Sequence, residues 1–162
     1  MINARAETLA EKPAFRTSLK RRRCLVPADG FYEWKKGLDG KTKTPMYIRR
    51  RNGEPFAFAG LWDVWHSPDG SVLPSCTIIT TAPNELMSPI HDRMPAILPR
   101  ADYEKWLAPK EQDAAEMAAL LRPCPAAELE AYPVSREVNS ARHEGSKLVE
   151  PMAEDLDSAM LF

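Results

Sequence analysis

Two polar residues, Glu33 and His91, sit where proton-transfer chemistry is favoured. Glu33 lies within Phe31-Tyr32-Glu33-Trp34-Lys35, flanked by aromatic rings and just past Gly30. A carboxylate in a desolvating aromatic setting has a raised pKa and works as an acid or a base near neutrality. The competing account is an exposed strand carboxylate paired with Lys35, an interaction of small value. His91 lies beside Asp92 and Arg93 in a loop bounded by Pro89 and Pro95. Histidine is the side chain best suited to proton transfer near neutral pH, although a lone histidine is more often structural. Asn3 and Arg5 share a short polar segment with Glu7.

Nucleophiles are less evident. The chain has no GxSxG elbow, no glycine-rich phosphate loop and no HExxH. Cysteines occur at 24, 76 and 124, without a CxxC pair, which argues against a disulfide framework and a zinc knuckle. Cys76 is expected to be buried on a strand and inert. Cys24 reads likewise as a buried small hydrophobe, although the nearby Arg21-Arg22-Arg23 would act to lower its pKa. Cys124, between two prolines, is expected at the surface. A thiol hydrolase using Cys24 or Cys76 with His91 is therefore one reading of these residues.

The elements that must position these groups belong to one ordinary domain. The 162 residues are 44% hydrophobic and 28% charged, enough for a real core. No stretch approaches the ~18 apolar residues of a membrane span, and the N-terminus has no apolar signal region. A reducing cytoplasm is the simplest compartment. Net charge is −1, but residues 1–65 carry +7 and residues 66–162 carry −8. Lys20–Arg23 and Arg49–Arg51 form two basic runs. Such asymmetry points either to an anionic partner or to solvated faces that neutralise the acidic half.

Fifteen prolines against seven glycines imply short elements with stiff connections. Pro13 to Leu19 reads as one or two helical turns. Phe31 to Lys35 reads as a strand, with Glu33 and Lys35 on one face and Tyr32 and Trp34 on the other. Asn52-Gly53 between two β-prone runs predicts a hairpin, Asp69-Gly70 a second turn, and Cys76 to Thr81 a strand. Asn84 to Met87 reads as a helix start, Asp102 as the cap of a short helix through Leu107, residues 110–122 as an amphipathic helix, and Tyr132 to Val134 as a last strand. The sum is an α+β domain with mostly antiparallel pairing.

Seven segments together resemble the SOS-response-associated peptidase (SRAP) family of abasic-site processing proteins. They are NARAET at 3–8, RRCLVPADGFYEW at 22–34, FAGLW at 58–62, TIITTAPN at 77–84, IHDRMP at 90–95, the Tyr103 to Leu107 stretch, and PVSREVN at 133–139. The resemblance implies a curved, mostly antiparallel sheet with short flanking helices, around a groove for single-stranded DNA. It implies an N-terminal cysteine, freed by self-processing, that attacks the aldehyde of an abasic site. The amine forms a Schiff base and the thiol closes it to a thiazolidine. By position, the resemblance makes Asn3 the residue that orients cysteine and sugar, Glu33 the acid/base, and His91 the proton-transfer partner. Arg5 and Arg93 become phosphate contacts, and Trp34 lines the site or stacks on a base. No cofactor and no metal are implied, and the protein is expected to be a monomer away from membranes.

Family members begin Met-Cys-Gly-Arg, whereas this sequence begins Met1-Ile2-Asn3. The expectation is a partial SRAP domain over 1–140, missing its N-terminal portion, followed by an acidic tail over 141–162. A non-covalent remnant that binds single-stranded DNA is the alternative. A thiazolidine needs an amine and a thiol on adjacent carbons of one residue. Cys24, Cys76 and Cys124 have their nitrogens in peptide bonds. A polypeptide of this sequence is therefore expected to leave no denaturant-resistant adduct on single-stranded abasic DNA without a reductant. Denaturing electrophoresis checks this, and a stable stoichiometric adduct contradicts it.

Overall fold

The computed structural model describes residues 2–152. Among the described residues, two sheets, three short α-helices and several 3-10 turns make up the α+β architecture. The larger sheet runs in the order β1 (Asn3–Arg5), β6 (Val72–Thr81), β5 (Phe56–His66), β2 (Arg23–Ala28), with β7 (Met94–Pro95) added to β6. The smaller sheet runs β3 (Phe31–Lys36), β4 (Lys43–Arg50), β8 (Leu129–Pro133). All pairings are antiparallel except β1 on β6.

Two apolar layers flank the larger sheet. On one face Leu61 and Ile79 pack with Phe15 and Leu19 of α1 (Pro13–Arg21), Trp106 of α2 (Tyr103–Leu107) and Met117 of α3 (Ala114–Ala119). On the other, Phe56 and Phe58 meet Ile48 and Leu129 of the smaller sheet, together with Met87 and Met94. Phe15 and Leu19 are four apart and so share one helix face. Pro13 opens α1, and Lys20 and Arg21 close it where cations suit the helix dipole.

The Asn52-Gly53 turn forms, with Gly53 at φ +71° and its N–H on the Arg50 carbonyl at 3.0 Å. The expected hairpin does not. β4 pairs with β3 and β8, whereas β5 pairs with β2 and β6. Phe56 to Leu61 are all buried, so β5 needs cover on both faces and a neighbour on both edges. β4 supplies a facing layer rather than an edge.

The helix expected over 110–122 shrinks to α3. Asp113 caps it, accepting from the N–H groups of Ala115 and Glu116, while the carbonyls of Ala108 and Lys110 are taken by Arg23. Asn84 to Met87 forms a turn held by side-chain bonds, and Asp102 makes no capping bond to α2. Of the expected tail, residues 146–151 lie on the smaller sheet. Tyr32 and Tyr132 donate their hydroxyls to the Leu148 and Val149 carbonyls at 3.2 and 2.9 Å, and Val134 bridges Pro151. Residues 153–162 of that tail lie outside the described residues, as does Met1. No helix among the described residues is long and apolar enough to cross a membrane.

Arg23 ties β2 to the helical layer. It is 7% exposed, and its guanidinium donates to the carbonyls of Trp106, Leu19 and Ala108. Arg23→Ala leaves these carbonyls without their donor, and an unfolding free-energy loss of about 2–4 kcal/mol is expected in urea titration.

Candidate functional site

The site is assembled from three segments that meet at one end of the space between the sheets. β1 runs parallel to β6, with Asn3 opposite Ile78 and Arg5 opposite Thr80. Alternation sends Ala4 into the core and leaves Asn3 and Arg5 on the open face. β3 contributes Glu33, paired in register with Met46. The third segment is the loop from Asn84 to Arg93.

That loop is held firmly. The Asn84 side chain accepts from the Met87 N–H at 2.9 Å and donates to the Cys124 carbonyl at 2.7 Å. The His91 N–H reaches the Met87 carbonyl at 2.9 Å. Met87 and Ile90 are buried anchors, and Met94-Pro95 pairs with β6. His91 is thereby carried to the cleft with Nε2 at 3.9 Å from Glu33 Oε2. Its Nδ1 accepts from the Arg93 N–H at 3.1 Å and lies 3.2 Å from Asp92 Oδ1. With Nδ1 accepting, a neutral ring carries its proton on Nε2, toward Glu33.

Burial pushes the Glu33 carboxyl above its ordinary value; nearby His91 and the Trp34 backbone N–H oppose the rise, and Asp92 adds to it. Glu33 faces His91, not Lys35. Asn3, Arg5, Glu33, His91 and Arg93 all line one cleft of about 340 Å³, whose apolar wall includes Phe31, Phe58 and Ile78.

Two residues depart from the expected picture. Arg93 already has partners. Its Nη atoms fork onto the two Glu7 oxygens at 2.8 and 2.9 Å, and Nη2 also donates to the Thr80 carbonyl at 2.6 Å. This hydrogen-bonded pairing holds Glu7 below the usual carboxylate range. Trp34 is not among the residues lining the cleft. Alternation puts it on the face opposite Glu33, where its indole N–H donates to Asn139 Oδ1 at 2.7 Å.

The thiols are also placed differently from expectation. Cys76 is exposed, because the smaller sheet covers the larger one only around Phe56 and Phe58. Cys124 is buried in the layer between the sheets, and burial pushes its thiol up to about 11. Burial likewise raises Cys24, with Cys76 adding to the rise, and the neighbouring arginines are engaged elsewhere. Arg21 binds Glu111, Arg22 binds Asp63 and lies over the Trp62 ring, and Arg23 serves carbonyls. In the second run Arg49 pairs with Glu130 and Arg50 with Glu128. Much of the basic asymmetry is thus spent inside the fold. No cysteine lines the His91 cleft, which removes the basis for a thiol hydrolase using Cys24 or Cys76. Sequence reasoning assigned no role to Asn84 or Glu7, although both lie in motifs it singled out, TIITTAPN and NARAET.

A two-sheet α+β domain with a carboxylate, an imidazole, an asparagine and two arginines in one cleft is the arrangement in hand. The chain belongs to the SOS response associated peptidase (SRAP) family, whose family model matches residues 1–141. Abasic site processing protein YoqW of Bacillus subtilis (strain 168) is 54% identical over 150 residues, covering 93% of this chain and 66% of that protein. Abasic site processing protein HMCES of Gallus gallus is 35% identical, covering 93% of this chain and 50% of that one. A crystal structure of a Bacteroides thetaiotaomicron protein superposes with a TM-score of 0.85 at 35% identity, covering 93% of this chain and 66% of that chain. The chain therefore spans about half to two thirds of the length of these proteins.

The raised Glu33 carboxyl has a consequence for stability. The folded chain holds its proton more tightly than the unfolded chain does, so stability falls as pH rises from the unfolded carboxylate pKa through the folded one. Glu33→Gln removes that titration. Urea titrations across a pH series should show this variant gaining stability relative to the unaltered chain from about pH 4 upward, then levelling off above the folded pKa.

Proposed function

We propose that this chain supplies the acid–base and strand-gripping part of a protein that processes abasic sites in single-stranded DNA, and that the protein caps the lesion covalently. The observation that carries this reading is the meeting of Asn3, Glu33 and His91 in one cleft with Arg5 and Arg93 on its walls. The lesion's open-chain sugar presents an aldehyde. An amine adds to it to give a carbinolamine, which loses its hydroxyl as water to form a Schiff base. That loss needs a proton donor, and a carboxyl with a raised pKa is suited to deliver it near neutrality. His91, with Nε2 toward Glu33, can return the proton. Asn3 supplies neutral donors and an acceptor for the sugar hydroxyls. In the thiazolidine-forming protein, the thiol of an N-terminal cysteine then adds across the C=N bond, and the nitrogen takes up the thiol proton. Self-processing to expose that cysteine is part of the same reading.

Arg5, exposed and free of ion pairs among the described residues, is the direct phosphate contact. Arg93 reaches a phosphate only by sharing its guanidinium with Glu7 or leaving it.

Reductive trapping tests the reading. Incubated with cyanoborohydride and an abasic single strand, the chain should be captured through its terminal amine, as peptide mapping would locate. Glu33→Gln should cut the trapping rate about 10²-fold, the usual scale of general acid catalysis. His91→Ala should slow it less. Equal capture of the three proteins, or no preference for an abasic strand over an intact one in binding, counts against the proposal.

A further inference from the structure

The hairpin between β3 and β4 carries a charge arrangement that the cleft does not explain. Lys35, Lys36, Lys41 and Lys43 are all exposed, and none makes an ion pair among the described residues. The arginine runs are mostly neutralised by fold partners; these lysines are not. Lys36 and Lys43 are also directly opposite each other in register. Like charges across an antiparallel pair are unfavourable, so the hairpin keeps an arrangement that an anion would relieve. The one acid in the turn is Asp39, whose Oδ1 accepts from the Lys41 and Thr42 N–H groups and the Thr42 hydroxyl at 2.8–2.9 Å. It braces the turn instead of pairing with a lysine.

The hairpin is continuous with the cleft. Lys35 lies two residues beyond Glu33 on the same strand face, about 7 Å farther along. There a hollow of about 560 Å³ is lined by Lys35, Lys36 and the apolar Leu38, Met46 and Pro133. Met46 is the register partner of Glu33. Leu38, at the tip, is fully exposed.

We propose that this hairpin is the platform for the single strand as it leaves the cleft, with phosphates on Lys35 and Lys36, the two lysines that line the hollow, and a flanking nucleotide over the Leu38, Met46 and Pro133 floor. It deepens the reading of the cleft and rests on it. The partner is a polynucleotide strand because two cations beside an apolar floor match phosphates flanking a base.

Fluorescence anisotropy over a salt series tests it, with two probes: a trinucleotide centred on an abasic-site analogue and a long single strand with the same lesion. The long strand should bind more tightly and with a steeper salt dependence. Lys35→Ala with Lys36→Ala should flatten that dependence by roughly 1.4, about 0.7 per lost phosphate contact, and leave the trinucleotide unchanged. Lys36→Glu separates binding from folding. It replaces a repulsive pair by an attractive one, so its melting temperature should rise while long-strand affinity falls about tenfold. If the unaltered chain binds neither probe, the reading of the cleft fails and this inference with it. If the trinucleotide binds but the long strand gains nothing, or the double variant keeps the full salt dependence, the inference alone is overturned.

Discussion

Six consecutive residues, Phe56 to Leu61, are buried on β5. A strand buried on both faces needs an apolar layer on each side and a partner on each edge. β2 and β6 satisfy the edges, the helices cover Ala59 and Leu61, and the smaller sheet covers Phe56 and Phe58. That cover stops partway along the strand. The cleft opens where the sheets part, with Phe58 and Ile78 on one wall and Glu33 on the other. The site is thus a by-product of how one strand is enclosed. Gly60 belongs to the same constraint: a Cβ there would sit 2.9 Å from the sulfur of Cys24, its register partner on β2.

Electrostatics divides the cationic groups into two populations. Arginines in the basic runs act mostly as internal fasteners: to Glu111, Asp63, Glu130 and Glu128, and to helix carbonyls. Arg93 joins this population through Glu7 while standing on the cleft wall. A guanidinium suits such forks because its donors are planar and fixed. Arg5 at the cleft and the lysines of the β3–β4 hairpin are among the exposed cations that make no ion pair among the described residues. Net charge near zero therefore conceals unpaired positive charge at the cleft and beyond it.

Holding an imidazole near a desolvated carboxylate also requires a stiff support. The His91 loop has one: Asn84 bonds at both ends of its amide, Met87 and Ile90 are buried, and Met94-Pro95 is added to β6. Proton transfer tolerates little drift in distance. The Asn84 anchor to the Cys124 carbonyl links this loop to the layer between the sheets, so packing there bears on where His91 stands.

Local chemistry was legible from the residue order. The Gly30-opened strand with Glu33 on one face and Trp34 on the other, the Asp69-Gly70 and Asn52-Gly53 turns, the Pro13 helix start and the α+β class follow from alternation and backbone preference, which act over a few residues. The motif blocks also marked Asn3, Arg5, Glu33, His91 and Arg93, which share one cleft. Other features depended on pairing between distant segments. The Asn-Gly turn led to a second sheet because β5 needed two edges. Cys76 and Cys124 exchanged their expected exposures because the smaller sheet covers one end of β5 and not the other. The Lys110 carbonyl, ahead of the shortened helix, accepts from an arginine 87 residues earlier in the chain. Arg93 met Glu7 across 86 residues. Residue order determined which elements form and which groups are available for chemistry. Tertiary structure decided which of those groups remain free, because each buried face and each charge takes whichever partner the completed packing brings within reach.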